Sequence, residues 1–386
     1  MTKEPKRLDL SLYLSREPVI LAALTGLTVV LFLAVTGLSH LYDAQQESLA
    51  ERWSSRGVND LNAHHYKVAI TEFRTALLYD RDNAAYQLSL AQALIGLKRT
   101  DEAYAYLINL WERQPENGVV SMELARIAVQ KGQTDRALRF YHNAIYATWP
   151  GDQESERRKA RLELIDYLLH INARTQAESE LIALEANAGD DADQQTHLGD
   201  LFLRVQDYTR ALAAYRASLK LKRQNPAARA GAGAAAFELG LYPEAEQDLR
   251  AAVEASPGDT ASAALLKTTS FVEEMDPFRP RISSAERNRA VVSAFTAAGA
   301  RVKACQAPAA KTAPAAASAS PWQSLSQQWS NLEPQVTERG LRRDPDLENT
   351  AMNLAFQIER QAGASCGPTT DADKALLLIA NLHQEN

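Results

Sequence analysis

Alanine recurs at Ala69, Ala103, Ala137, Ala177, Ala211 and Ala245, so the intervals along this 386-residue chain are 34, 34, 40, 34 and 34. A second track of small residues runs twelve places ahead of it, as Gly57, Ala91, Ala125, Gly199 and Gly233, with Ile165 in the remaining slot. Two registers in phase over six units mean that the chain folds by repetition. A period near 34 with apolar residues at helical spacing inside each unit points to stacked helical hairpins. No single unit can bury its own apolar face, so neighbours must stack to close the core. The one interval of 40 carries six extra residues near Trp149–Glu154, where Pro150-Gly151-Asp152 reads as a lengthened turn.

The slots inside each unit carry a resemblance. The first holds Trp53, Gly57, Tyr66, Ala69, Phe73 and Ala76; the second Leu90, Ala91, Leu94, Ala103, Leu107 and Pro115. The third holds Leu124, Ala125, Gly132, Ala137 and Tyr141, and the fifth Leu198, Gly199, Phe202, Tyr208, Ala211 and Tyr215. The sixth ends on Pro257 after Gly233, Tyr242, Ala245 and Leu249, while the fourth keeps Leu164, Leu168, Ala177 and Leu181 without the glycine. In this pattern the chain resembles the tetratricopeptide-repeat (TPR) proteins over about residues 50–275. The resemblance implies an all-α solenoid of about six helical hairpins, closed by a capping helix at 260–275.

Residues 19–38 contain no charge and nothing more polar than Thr25, Thr28 and Thr36. Twenty residues at about 1.5 Å each span roughly the 30 Å hydrocarbon core of a bilayer. Lys3, Lys6, Arg7 and Arg16 precede the run, and Arg52 alone occurs in the first turns after it. The positive flank places a short tail (1–18) in the cytoplasm, an anchor over 19–42, and everything beyond across the membrane, in a bacterium the periplasm. Ala22 and Gly26 form a small-residue pair of the kind that seats a second membrane helix.

Beyond the solenoid, two prolines in Asp276-Pro277-Phe278-Arg279-Pro280-Arg281 predict an extended connector, followed by a helix that Ser283, Ser284 and Glu286 cap and that ends near Ala304. The connector and its helix occupy 276–306. Residues 307–321, rich in Ala and Pro, read as a flexible tether, and 322–386 as a small helical region. There Trp322, Leu325, Trp329 and Leu332 share one face, Asp344-Pro345 opens one helix and Thr370 to Asp373 another. Cys305 and Cys366 are the only cysteines. In an oxidising compartment they are expected to pair as a disulfide.

No phosphate cradle, nucleophile elbow, metal-binding histidine box or cysteine knuckle is present, so the sequence predicts neither catalysis nor a cofactor. The net charge of -6 argues against nucleic acid as partner. His64 and His65 fall at a turn. Asp166 with His170, and His197 with Asp200, each share a helix face and offer at most a hydrogen-bonded pair or a minor metal site.

The TPR resemblance further implies a concave protein-binding groove lined by the first helix of each unit. Its outward positions would be Asn62, Gln92, Glu123, Arg126, Gln130, Glu163, Asp166, His170, Asp200, Arg204 and Glu238. Five are acidic and two basic, which suits a neutral or mildly basic peptide. Ser54 and Val58 stand where chaperone-binding relatives carry their carboxylate clamp, which disfavours a chaperone-tail adaptor. The leading expectation is a membrane-anchored, periplasm-facing scaffold that recruits proteins to assemble or maintain a cell-envelope complex. The alternatives are a non-catalytic accessory subunit of a larger membrane enzyme and a cytoplasm-facing tethered regulator.

Overall fold

The computed structural model describes residues 16–187, 189–309, 321–365 and 370–383. Among these the chain forms eighteen helices and no strand, with a single isolated bridge between Asn117 and Thr148. It divides into two compact units, Met1–Tyr167 and Leu168–Asn386.

The first unit opens with α1 (Arg16–Asn62), one uninterrupted helix of 47 residues. The apolar run and the first helix of the first repeat are therefore a single rod of about 70 Å at 1.5 Å per residue, with no break at 42. Its apolar stretch faces outward, as Phe32 at 67 % exposure illustrates, whereas Ala50, Ser54 and Gly57 are buried against the repeat. Helices α2 (Tyr66–Tyr79), α3 (Ala84–Gly96), α4 (Thr100–Arg113), α5 (Gly118–Gln130), α6 (Thr134–Tyr146) and α7 (Gln153–His170) follow, each packed on its chain neighbour through α6. The boundary between the units falls within α7.

The periodic alanines lie where the packing argument puts them. Ala69, Ala103, Ala137, Ala177, Ala211 and Ala245 are all fully buried. Opposite the second small-residue track stand rings and bulky side chains: a Cβ on Gly57 would come within 2.8 Å of the Phe73 ring, one on Gly199 within 2.7 Å of Tyr215, and one on Gly233 within 2.6 Å of Leu249. A small residue lets two helix backbones close up, and the ring across from it fills the space, which keeps the core at organic-crystal density.

Two further registers set the helix ends. Asn83, Asn117, Asp191, Asn225 and Asp259 cap the helices that begin at 84, 118, 192, 226 and 260, each side chain accepting one or two backbone N–H groups. Between the two helices of each hairpin one residue adopts a left-handed conformation: His64, Lys98, Gly132, Asn172, Gln206 and Gly240 have φ between 58° and 72°. The next residue donates its N–H five residues back, as in Arg99 to Leu94 (2.9 Å) and Gln133 to Ala128 (2.9 Å), which satisfies a carbonyl at the helix end.

Of the six inserted residues Trp149 alone turns inward, while 150–154 are exposed. The Thr148 N–H donates to the Glu116 carbonyl (2.8 Å), Gly118 N–H donates to the Thr148 carbonyl (3.0 Å), and Trp149 is buried with its indole N–H on the Ala144 carbonyl (2.8 Å).

In the second unit α8 (Arg174–Glu185), α9 (Ala192–Val205), α10 (Tyr208–Leu221), α11 (Pro226–Glu238) and α12 (Tyr242–Ala255) continue the hairpins, and α13 (Thr260–Met275) caps them. The C-terminal helices are α14 (Ser284–Ala309), α15 (Pro321–Leu332), α16 (Glu338–Arg343), α17 (Asp346–Ser365) and α18 (Asp371–Leu382). They share one core with the end of the array: Tyr242, Val272 and Met275 cluster with Phe295, Trp329, Met352 and Leu376. Trp329 stacks on Phe295 at 5.7 Å and donates to its carbonyl (3.1 Å). The Trp322–Leu332 face packs inward as its spacing predicts.

The expected extended connector is instead two consecutive turns. Asp276 accepts the Phe278 N–H (2.9 Å) and Arg279 pairs with Glu273 (2.6 Å), so side-chain hydrogen bonds fold back a segment whose prolines only forbid helix. The next helix also runs five residues past Ala304, to Ala309. The rest of the expected tether, 310–320, lies outside the described residues, as does Cys366.

Candidate functional site

In the first unit the sequence-predicted groove positions sit on the first helices of successive hairpins. Asn62 and Gln130 are exposed at helix ends, while Gln92, Glu123, Arg126 and Glu163 gather on α3, α5 and α7. Arg126 is the hub. Its guanidinium donates to both carboxylate oxygens of Glu163, at 3.0 and 2.5 Å, and to Glu123 at 3.4 Å. This fork ties α5 to α7, although at roughly two-fifths exposure such pairs contribute at most about 1 kcal/mol.

Burial pushes the Glu123 carboxyl above its ordinary value, the Glu163 charge pushes the same way, and Arg126 opposes both. Hydrogen bonding to Glu163 raises Arg126 in turn. Beneath them Tyr141 is held up to about 12, chiefly by burial. Asp166 is exposed on the same helix as Glu163 and also has an interaction partner.

A cleft of about 510 Å³ opens beside this cluster, between α5, α7 and the inserted turn. Trp149 closes one side because Gly118 has no side chain: a Cβ there would lie 2.4 Å from the indole.

In the second unit His170, Asp200, Arg204 and Glu238 are all exposed. Asp200 accepts the Tyr215 hydroxyl at 2.6 Å, so this groove carboxylate also anchors the ring that fills the core between Gly199 and Gly231. Burial, then that hydrogen bond, raises the Tyr215 hydroxyl far above its ordinary value. Burial lifts Tyr242 to about 12, helped by the charges of Glu238 and Asp276.

Two tetratricopeptide-repeat family profiles match, one over residues 61–127 and 96–148, the other over 197–260. The array is built of tetratricopeptide repeats. Solved structures similar to the chain include YrrB, described as a TPR protein with an unusual peptide-binding site (15 % identity, 50 % of this chain and 95 % of that one, TM-score 0.40). Others are the C-terminal part of a TPR repeat-containing protein from Cytophaga hutchinsonii (13 %, 62 % and 93 %, 0.45) and pilF of Pseudomonas aeruginosa (16 %, 57 % and 97 %, 0.39). No curated protein matches the sequence.

The TPR histidines at the first hairpin turn are engaged locally, His65 Nδ1 with Asp60 (3.0 Å) and His64 Nδ1 with the Tyr66 hydroxyl (2.9 Å). Among the described residues no group of three or more His, Cys, Asp or Glu side chains is placed to hold a metal ion. Cys305 is 4 % exposed in the C-terminal core, and no free cysteine occurs among the described residues.

Sequence reasoning missed the cleft, because an insertion reads as a longer turn unless the exposed-looking Trp149 is matched to Gly118, 31 residues away by subtraction of their numbers. It also missed a buried polar group beyond the repeats, where Glu359 and Asp373 face Arg301.

Proposed function

We propose that this chain is a non-catalytic, membrane-anchored TPR scaffold whose repeats face the periplasm and bind protein partners through the first helices of the hairpins, for assembly or maintenance of a cell-envelope complex. The observation that carries the reading is α1: an apolar stretch that is exposed along its length continues without a break into the first repeat. An exposed apolar face of that length is costly in water and stable in hydrocarbon. The basic residues before it and the single Arg52 soon after it support the orientation. TPR domains are typically scaffolds for peptides and proteins, and the exposed positions Asn62, Gln130, Arg204 and Glu238 offer polar contacts on such a surface. Pairing of Cys305 with Cys366 in an oxidising compartment belongs to the same reading.

Sidedness is measured with an impermeant maleimide. Cys305 is too buried to report it, so a cysteine replaces the exposed Ser179 on α8. Labelling of S179C in cells with a permeabilised outer membrane and an intact inner membrane is the expected result. Labelling only after the inner membrane is lysed would place the repeats in the cytoplasm.

A further inference from the structure

Hydrogen bonds hold the residues that flank the inserted turn. Backbone hydrogen bonds hold Thr148 to Glu116 and Gly118, and Arg157 donates to the Ala147 carbonyl (3.0 Å). The inserted turn lines the cleft with Trp149 and Pro150, and Val119, Met122 and Leu162 supply the rest of its apolar lining. The rim carries three carboxylates, Glu123, Glu156 and Glu163, against two cations, Arg126 and Lys159. Both cations are already engaged: Arg126 with Glu163 and Glu123, and Lys159 with Glu156 at 2.7 Å. One negative charge is left over, and Glu123, whose side chain is only 15 % exposed, borders the apolar lining. A charge shielded from water in this way interacts with an incoming cation more strongly than one in bulk solvent.

Resting on the scaffold reading, we propose that this cleft is a docking subsite for a partner polypeptide that presents a bulky apolar side chain next to a lysine or arginine. A volume of about 510 Å³ falls within the range of roughly 300–1,000 Å³ typical of ligand pockets, enough for two adjacent side chains. The apolar side chain lies on Val119, Met122 and Trp149. The methylene stem of the adjacent cation covers Leu162 while its head reaches Glu123.

The test uses the full chain in detergent micelles and an array of decapeptides with a fixed central pair and randomised flanks. Pairs of Leu, Phe or Trp with Lys or Arg are expected to bind about fivefold more strongly than the same apolar residues paired with Glu. Glu123→Gln, which keeps the shape of the side chain, abolishes the preference for the cation and leaves the apolar preference. Val119→Asn weakens the apolar preference and leaves that for the cation. Thermal melts confirm that both variants are folded. Peptides bound with no preference for such pairs, or with one that neither variant changes, would overturn the subsite and leave the scaffold reading standing. Failure to bind any peptide would overturn both.

Discussion

At the residue scale, a turn that needs φ > 0 falls at the same place in every repeat, yet the chain fills it with glycine only at Gly132 and Gly240. His64, Lys98, Asn172 and Gln206 take the same left-handed conformation with a side chain attached, which costs a non-glycine residue about 1 kcal/mol. Lys98 is exposed at its turn, so Lys98→Gly should stabilise the repeats by roughly 0.5–1 kcal/mol, read as a rise in melting temperature. The reverse change, Gly132→Ala, should lower it by a similar amount. This register escapes a search by residue type because four side chains of unlike chemistry occupy one backbone geometry.

Glu359 presents the opposite case, a titratable group where the fold offers no hydrogen-bond partner. It is fully buried and neither carboxyl oxygen is hydrogen-bonded. Burial, reinforced by the Asp373 charge and opposed by Arg301, pushes it up to about 8. The group therefore keeps its proton in the folded chain at pH 7 and loses it on unfolding. Between its ordinary value of 4.5 and about 8 the unfolded state binds fewer protons, so stability falls as pH rises and levels off above that window. Glu359→Gln should remove this slope. Melting temperatures of the variant and the parent chain should converge near pH 4.5 and diverge toward pH 8, with the variant more stable.

At the element scale, α1 joins in one helix two segments that the sequence presents as separate domains. Charge-free composition marks 19–38 and repeat spacing marks 50 onward, but nothing in between breaks a helix, and Asp43–Ser48 simply continues it. Because the apolar stretch is not buried against the rest of the chain, removing residues 1–42 should yield a water-soluble chain with the melting temperature of the full protein in detergent. Aggregation, or loss of the cooperative transition, would show that the stretch contributes to the core after all. The inserted turn behaves differently. Trp149→Ala removes a side chain that is only 8 % exposed together with its hydrogen bond, and should cost about 3–5 kcal/mol, measured by chemical denaturation. The length of the insertion was legible in the 40-residue interval; the burial of Trp149 was not, since that depends on a contact with Gly118 that no local pattern announces.

At the scale of the whole molecule, the repeat architecture could be read from sequence because each slot is reused: one error in six units leaves the period intact, as Ile165 and the glycine-free fourth repeat demonstrate. The C-terminal helices occur once, so their amphipathic faces were visible but not what they face. That their core is shared with Tyr242, Val272 and Met275 emerges only in three dimensions. The groove lies between these cases. Its positions follow from the repeat, while the fork that binds Arg126 to Glu123 and Glu163 reduces the free charge that the composition of the surface suggests. In the function proposed above, a membrane-held TPR array receives other polypeptides on the first helices of its hairpins. The most direct measurement is photo-crosslinking in native membranes from single positions, comparing Asn62, Gln92, Gln130, Arg204 and Glu238 with Arg74 and Ser179 on second helices. Polypeptide adducts are expected from the first set and none from the second. Adducts from both sets alike, or from the second set alone, would contradict the proposed function.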